Sequence, residues 1–159
     1  MEEKKRLAVI RMRGRVNVRK TIEDTLQMLN LFRRFNCVII DDRPSYQGML
    51  QQIKDWATWG EIDSETVELL LTKRGELGGN KRKVTDDFIK RKTSFSSISE
   101  FAQSVCEFKS ELSDLSALKK VFRLHPPRKG LKSIKAPFTE GGDLGYRGKE
   151  IKELIQKMV

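Results

Sequence analysis

The sequence predicts an α+β fold: a three-stranded sheet with two helices on one face, in the chain order β-α-β-α-β, followed by a C-terminal helical and extended arm. Two observations lead to this prediction. Short apolar runs alternate with amphipathic segments over the first 62 residues, and beyond them the periodicity becomes helical and then irregular. We therefore divide the chain into a core over residues 1–62 and a helical and irregular basic extension over residues 63–159.

The first strand and the first helix of the core follow from residues 7–32. Residues 7–12 form a short apolar run that ends in a basic stretch, which is typical of a strand. Gly14 and Asn17 interrupt the run, and Asn17 is the predicted N-cap of the next helix. Apolar residues then recur every three or four positions, which indicates an amphipathic helix with one stripe facing the core. The stripe comprises Val18, Ile22, Leu26, Leu29 and Phe32.

The second half of the core repeats this order. Residues 37–40 are apolar and partly β-branched, and they predict a second strand that ends at Asp41 and Asp42. Pro44 disfavours helix in the residue before it, so Ser45 is the predicted N-cap of the second helix. Residues 57–62 predict the third strand. The apolar side of the second helix comprises Met49, Leu50, Ile53 and Trp56.

The extension contains further helices and one long irregular stretch. Its first helix is capped by Asp63 or Ser64 and ends at Gly75, a second helix starts at Thr85, and a third covers residues 97–108. A final helix covers residues 149–158. Residues 109–145 lack periodicity and hold three of the four prolines, so we expect them to lie on another surface. The predicted core residues of the extension are Val67, Leu70, Leu71, Ile98, Phe101, Ala102, Val105, Ile151, Leu154 and Ile155.

The charge of the chain points to a polyanionic partner. Lys and Arg outnumber Asp and Glu by 32 to 22, which gives a net charge of +10. Residues 4–20 and 119–135 hold basic residues and no carboxylate, whereas acidic residues dominate 41–68. Because a solvated surface normally mixes its signs, this segregation predicts a basic binding surface with an acidic face turned away from it.

Several classes of function are disfavoured. No apolar run approaches the roughly 18 residues of a membrane span, and the N-terminus does not have the pattern of a signal peptide, so we expect a cytoplasmic protein without a membrane partner. Cys37 and Cys106 have no partner at metal-ligand spacing and are expected to be inert thiols. We expect no metal site, no cofactor and no small-molecule substrate.

The glycine-rich residues 141–149 do not match a nucleotide-binding loop. A P-loop needs a glycine where Asp143 stands and a hydroxyl residue where Glu150 stands. We interpret these glycines as places where a basic turn approaches another backbone, or where a loop ends.

Asp41, Asp42, Glu61 and Asp63 follow predicted strands, where catalytic carboxylates often lie. A magnesium-dependent nucleic-acid-processing enzyme that uses Asp41, Asp42 or Glu61 is therefore an alternative. The single histidine lies far along the chain, so helix capping and a solvated acidic face are the favoured interpretations.

The basic segments offer phosphate ligands. Arg11, Arg13 and Arg15 alternate, so in an extended chain their guanidinium groups would project to one face and bind successive phosphates. Residues 121–130 interleave cations with apolar and rigid residues, and RNA is expected to organise this segment on binding. His125 could stack on a base, contact a phosphate, or lie on the surface of a stiff segment. Trp56 is expected in the core, and Trp59 could be a core residue or a stacking platform.

Several segments, in this order, resemble one known family. They are VIRMRG at 9–14, TIEDTLQMLNLFRRFNCVIIDD at 21–42, PSYQGMLQQIKDWATWGEID at 44–63, LLTKRGELGG at 70–79, FRLHPPRKG at 122–130 and GGDLGYRGKEI at 141–151. Together they resemble the large-subunit ribosomal protein L-thirty family, which includes the eukaryotic L-seven-e proteins. Bacterial members are little more than the core, and eukaryotic members usually add a long basic N-terminal extension, so the archaeal form fits best.

The resemblance implies a ferredoxin-like core, contacts with large-subunit ribosomal RNA (23S, near the 5S RNA) and neighbouring ribosomal proteins, and no catalytic residue. The expected function is that of a structural constituent of the ribosome, and a non-ribosomal RNA chaperone is a further alternative. Arg43 and Glu76 depart from the family pattern, and Glu76 puts a phosphate contact at its turn in doubt. The predicted RNA-binding residues are Arg11, Arg13, Arg15, Arg19, Lys20, Arg74, Lys81, Arg82, Lys83, Lys120, Arg123, His125, Arg128, Lys129, Lys132, Lys135 and Arg147.

Overall fold

The predicted order of the core elements is confirmed in the computed structural model, which describes residues 4–79 and 82–159. The core consists of β1 (Arg6–Arg11), α1 (Lys20–Met28), β2 (Asn36–Asp41), α2 (Pro44–Gln52) and β3 (Ala57–Glu61). The extension adds α3 (Ser64–Arg74), α4 (Asp86–Lys92), α5 (Ile98–Cys106), β4 (Phe122–Arg123), β5 (Gly145–Tyr146) and α6 (Ile151–Met158). Short 3-10 turns lie at Leu112–Asp114, Phe138–Glu140 and Gly148–Glu150.

The sheet has two more strands than the sequence predicts. Within the described residues its order is β4-β2-β1-β3-β5, with β1 central and antiparallel to both β2 and β3. β4 pairs with β2 in antiparallel fashion, and β5 pairs with β3 in parallel. Each added strand is two residues long, too short for an alternating pattern to appear in the sequence.

The two faces of the sheet carry separate apolar clusters. α1 and α2 share one face, as predicted, where Leu26, Leu50 and Ile53 pack with Val9 and Trp59. Trp59 is therefore a core residue. Side chains of the opposite face pack against α3, α5 and α6, and this cluster includes Ile10, Cys37, Leu70, Phe101 and Ile155. Because neighbouring strand residues point to opposite faces, the fully buried β1 serves both clusters.

The predicted caps of the first two helices are wrong. α1 begins at Lys20 and follows Arg19, which makes no side-chain cap, while Asn17 has a left-handed φ of 57° within the preceding loop. α2 begins at Pro44 instead of after Ser45. Proline suits the first helical position because its φ is already helical and the missing N–H would have no partner in the helix.

The prediction that Phe32 extends the buried stripe of α1 is also wrong. α1 ends at Met28, and Asn30 takes a left-handed φ of 61°, which turns the chain away from the helix axis. Phe32 then lies on the surface with 42% of its area exposed. The predicted cap at Asp63 is confirmed, since its side chain accepts a backbone N–H at the start of α3. Thr85 and Ser97, where the next two helices were predicted to start, are the N-caps of α4 and α5.

The glycine-rich segment lies against β3. A Cβ on Gly60 would stand 2.0 Å from the carbonyl oxygen of Gly148, and one on Gly142 would stand 1.9 Å from that of Ala136. Gly148 itself has a φ of 58°. The glycines therefore allow close backbone approach, as the sequence indicates.

The irregular stretch is ordered where it meets the sheet and α6. Phe122 is fully buried, and the Leu124 N–H donates to the Phe35 carbonyl. The N–H groups of His125 and Arg128 donate to the carbonyls of Met158 and Lys157 at the C-terminal end of α6. Protein contacts thus fix the middle of this segment. No helix in the described part of the chain is long and apolar enough to cross a membrane.

Candidate RNA-binding surface

The two ends of the sheet differ in their charged groups. Because β1 is antiparallel to its neighbours, its C-terminal end lies beside the N-terminal ends of β2 and β3, with Ile10 opposite Cys37 and Arg11 opposite Ala57. Cations cluster in the segments around this end, which we call the basic end: Arg13, Arg15, Arg33, Arg34, Lys120 and Arg123. The acidic end, where β2 and β3 finish, holds Asp41, Asp42, Glu61 and Asp63.

Arg11 lies inside the protein and organises the basic end. Its side chain is fully buried, and its guanidinium donates to the carbonyls of Leu31 (2.8 Å), Arg13 (2.9 Å) and Gly14 (3.1 Å), and to the Glu23 carboxylate (3.2 Å). The expectation that Arg11, Arg13 and Arg15 project together is wrong, because the strand ends at Arg11 and the chain then folds over its side chain. This burial argues against a phosphate contact at Arg11.

Two arginines fasten the loop after β1 to the turn after α1. Arg15 Nε donates to the Phe32 carbonyl at 2.8 Å, and Arg34 Nε donates to the Met12 carbonyl at 2.9 Å. Each bond uses one N–H, which leaves the terminal N–H groups of both guanidinium groups for an external acceptor. Arg13 lies over the ring of the half-buried Trp56, with its guanidinium carbon 5.6 Å from the ring centroid. Arg19 and Lys20 are exposed at the start of α1.

The turn after α3 lies against the start of residues 119–135, which we call the second basic segment. Backbone bridges join Glu76 to Lys83 and Leu77 to Leu118. Glu76 forms an ion pair with Lys119 at 3.4 Å, so this departure from the family pattern has a structural role. Arg82 and Lys83 are exposed, and Arg74 is half-buried with its Nε lacking a hydrogen-bond partner among the described residues. Lys81 lies outside the described residues.

The second basic segment is exposed at every predicted cation. Lys120 precedes β4, and Arg123 stands opposite Asn36 within the β4–β2 pair. The remaining cations lie within or after residues 125–128, where the backbone bonds to the C-terminal end of α6. His125 is exposed in this stretch, which fits both an RNA contact and a surface position on a stiff segment. The exposed predicted residues of this segment are Lys120, Arg123, His125, Arg128, Lys129, Lys132 and Lys135.

Arg147 is an internal residue. Its Nε donates to the Thr58 hydroxyl at 2.9 Å, and a terminal nitrogen donates to the Asp143 carbonyl at 2.9 Å. The guanidinium also lies over the Phe138 ring, 5.0 Å from its centroid. Burial lowers the pKa of Arg147, and the Asp143 carboxylate opposes that shift. These contacts tie the glycine-rich segment to β3 and argue against a phosphate contact at Arg147.

The acidic end is occupied by structural contacts. Asp41 accepts hydrogen bonds from Arg6 and Arg43, and the Glu61 carboxylate accepts them from Lys5 and Tyr146. Asp63 caps α3. Burial raises the pKa of Asp63, but hydrogen bonds from Thr66 and Lys152 outweigh burial and hold that pKa below its usual value. No group of three potential metal ligands occurs within residues 4–79 and 82–159.

The two thiols are placed as expected for inert cysteines. Cys37 is buried beneath α5 and α6, and burial raises its pKa to about 12. Cys106 is partly buried, which raises its pKa to about 11. Because the thiolate is the reactive form, neither group is nucleophilic near neutral pH.

The sequence interpretation missed four residues of the basic end. They are Phe32, Arg33, Arg34 and Asn36. Phe32 was assigned to the buried stripe of a continuing helix, whereas α1 stops four residues before it, and the other three were given no role. Asn30 was a usable signal, since asparagine tolerates the left-handed conformation that ends a helix.

Comparisons with known proteins agree with this architecture. The family model "Ribosomal protein L30p/L7e" matches residues 7–57. The large ribosomal subunit protein uL30 of Methanopyrus kandleri is 57% identical over 150 residues, covering 93% of this chain and 100% of that protein. The uL30 proteins of Archaeoglobus fulgidus and Methanosphaera stadtmanae are 55% and 50% identical, covering 95% and 96% of this chain and 98% and 99% of their own lengths. With full-length identity at this level, the chain belongs to the family of large ribosomal subunit protein uL30.

Proposed function

We propose that this chain is a structural constituent of the large ribosomal subunit that binds and organises 23S ribosomal RNA near the 5S RNA. The ribosomal role of its relatives supports this proposal, and membership of the family confirms the expectation that the chain is not an enzyme. The observation that supports RNA as the bound partner is the segregation of charge to opposite ends of one sheet.

The basic end suits a phosphate backbone because it is positively charged and because some of its side chains are already partly ordered. Arg15 and Arg34 are held by one hydrogen bond each, so part of their ordering cost is met before RNA arrives. Bidentate guanidinium contacts with phosphate then fix position without reading sequence. Most carboxylates of the acidic end are paired with cations of the protein, so it is attraction between phosphate and the exposed cations of the basic end that orients the protein toward RNA.

The proposed contact residues are the exposed and half-buried members of the predicted set, joined by Arg33 and Arg34. Arg11 and Arg147 act as positioning residues, because their guanidinium groups are buried and bonded within the protein. Lys81 remains part of the prediction. The proposed contacts within the described residues are Arg13, Arg15, Arg19, Lys20, Arg33, Arg34, Arg74, Arg82, Lys83, Lys120, Arg123, His125, Arg128, Lys129, Lys132 and Lys135.

Neighbouring ribosomal proteins are the remaining partners, and cytoplasmic ribosomes are the proposed location. The acidic end, turned away from phosphate, would face such a neighbour or solvent.

Sedimentation of cell lysate through sucrose gradients tests this proposal. The chain should travel with large subunits at near-stoichiometric ratio, both in low salt and after a high-salt wash. A chain that stays at the top of both gradients would contradict the ribosomal role. It would then favour a free-standing RNA chaperone, which should bind unrelated RNAs alike.

A further inference from the structure

A cleft of about 360 Å³ lies at the edge of the sheet, between β4 and the turn after α1. We call it the edge cleft, and its lining includes Phe32, Arg33, Asn36, Lys119, Lys120 and Arg123. No carboxylate of the described residues lines it. Asn30 also lines it, so the cleft combines one exposed aromatic ring, two side-chain amides and a strong excess of positive charge.

Phe32 provides an aromatic surface that is open to solvent and held in place. It is 42% exposed, and it is the aromatic residue of the cleft. Its carbonyl accepts from Arg15, and the preceding Leu31 carbonyl accepts from the buried Arg11, both at 2.8 Å. A nucleobase stacks well on such a ring, because the stack needs an accessible π face whose position costs little further ordering.

Asn36 is the second side chain of the edge cleft that can bind a base. Only 7% of this residue is exposed, and its side-chain amide makes no hydrogen bond with any described residue. Among the described residues Arg74 Nε alone is a fully buried side-chain atom without a partner, so the Asn36 amide still reaches solvent and is open to a ligand. The residue stands directly opposite Arg123 in the β2–β4 pair, so the two side chains share the face that lines the cleft. This amide can donate to and accept from the edge of a base.

The cations of the cleft are available for phosphate. Arg33, Lys120 and Arg123 are exposed and form no ion pair within the described part of the chain. Lys119 differs, because it pairs with Glu76. Three unpaired cations around one aromatic ring suit the phosphates on either side of a single nucleotide.

We propose that the edge cleft binds one unpaired RNA nucleotide, with the base stacked on Phe32, its edge bonded to Asn36, and the flanking phosphates bound by Arg33, Lys120 and Arg123. This inference rests on the proposed function and makes it more specific. It assigns to this surface a single-stranded or bulged RNA site, since bases within a continuous helix are stacked on one another and cannot reach Phe32.

Titration of protein-free large-subunit ribosomal RNA with the full chain tests the site. Phe32→Ala should weaken binding about tenfold or more and leave the dependence on salt unchanged, because it removes a stack and no charge. Arg123→Ala should lower the salt slope by about one. The matched control is Met28→Ala, which removes another apolar side chain, 65% exposed, that does not line the edge cleft.

A second variant keeps the test independent of folding. Phe32→Trp should bind within about twofold of the wild type, since either ring can stack. Its additional indole emission, measured against the wild type, should be quenched when the RNA is added. Thermal unfolding of each variant, followed by circular dichroism, checks that the substitutions leave the fold intact.

Three results would overturn the inference, and they have different meanings. If the wild type binds ribosomal RNA, and Phe32→Ala binds equally well while Phe32→Trp shows no quenching, the stacked nucleotide is wrong and the proposed function stands. If Phe32→Ala binds free RNA normally but is lost from washed subunits, the cleft holds a neighbouring protein. If the wild type neither binds this RNA nor sediments with large subunits, the proposed function itself is wrong.

Discussion

At the residue scale, arginines that look alike in the sequence perform two different tasks. Arg11 and Arg15 belong to the same alternating series, yet Arg11 is fully buried and Arg15 is exposed. The difference arises where the strand ends, because the loop after β1 folds back over Arg11 and presents three carbonyl acceptors to it. Arg11 thereby stabilises the surface that Arg15 and its neighbours offer to a ligand.

Arg11→Ala should lower the free energy of unfolding by about 3 kcal/mol. The substitution leaves Glu23 and several inward-facing carbonyls without their donor, and it opens a cavity beneath the loop. Urea denaturation followed by circular dichroism measures the change. Arg19→Ala is the control, because it removes an exposed arginine and should stay within about 0.5 kcal/mol of the wild type. Equal midpoints for both variants would contradict a structural role for Arg11.

At the element scale, the contact between β3 and the turn that precedes α6 depends on one glycine. Gly60 is buried in β3, and the Gly148 carbonyl and Ile151 side chain occupy the space where a side chain would stand. The parallel pairing of β5 with β3 and the bonds of Arg147 lie in the same region.

Gly60→Ala should therefore destabilise the protein by about 2–3 kcal/mol, because the backbone of the 3-10 turn Gly148–Glu150 has to move away from β3. Gly14→Ala serves as the matched control. A Cβ at Gly14 meets nothing within 4 Å, so this change should be neutral to within about 0.5 kcal/mol. Differential scanning calorimetry of both variants separates the two cases, and a wild-type melting temperature for Gly60→Ala would refute the close packing.

The elements that sequence reasoning predicted well are those with a periodic pattern and a physical start signal. The helix capped by Asp63 and the apolar residues of α5 are examples. β4 and β5 could not be predicted, because a two-residue strand is defined by its partner and not by its own sequence. The edge cleft was missed for a related reason. Phe32 continues a helical spacing, and its exposure follows from the turn at Asn30.

At the scale of the whole molecule, the segregation of charge could be predicted from the sequence, and the antiparallel topology explains how it arises. Each acidic pair follows a strand that ends opposite the start of β1, whereas the basic loop follows the other end of β1. Basic and acidic blocks that alternate along the sequence therefore lie at different ends of the folded sheet.

Removing one of the proposed contact cations should weaken RNA binding in a salt-dependent way, whereas the same change near the acidic end should not. Lys20→Ala should reduce the slope of log affinity against log salt by about one. Lys149→Ala is the counterpart, since both lysines are exposed beside the start of a helix, and Lys149 lines a cleft with Glu61 and Asp63. Filter binding with large-subunit ribosomal RNA at several salt concentrations measures both slopes. Equal slopes would show that RNA does not distinguish the two ends.

The two short edge strands also affect how the protein behaves before it joins a particle. A long unpaired strand edge offers a template for pairing with another chain, and natural sheets often avoid this with very short edge strands. Here β4 covers Asn36 and Cys37 of β2, and β5 covers Thr58 and Trp59 of β3. Each outermost strand is two residues long, so it offers another copy of the chain only a short template for pairing before RNA is bound.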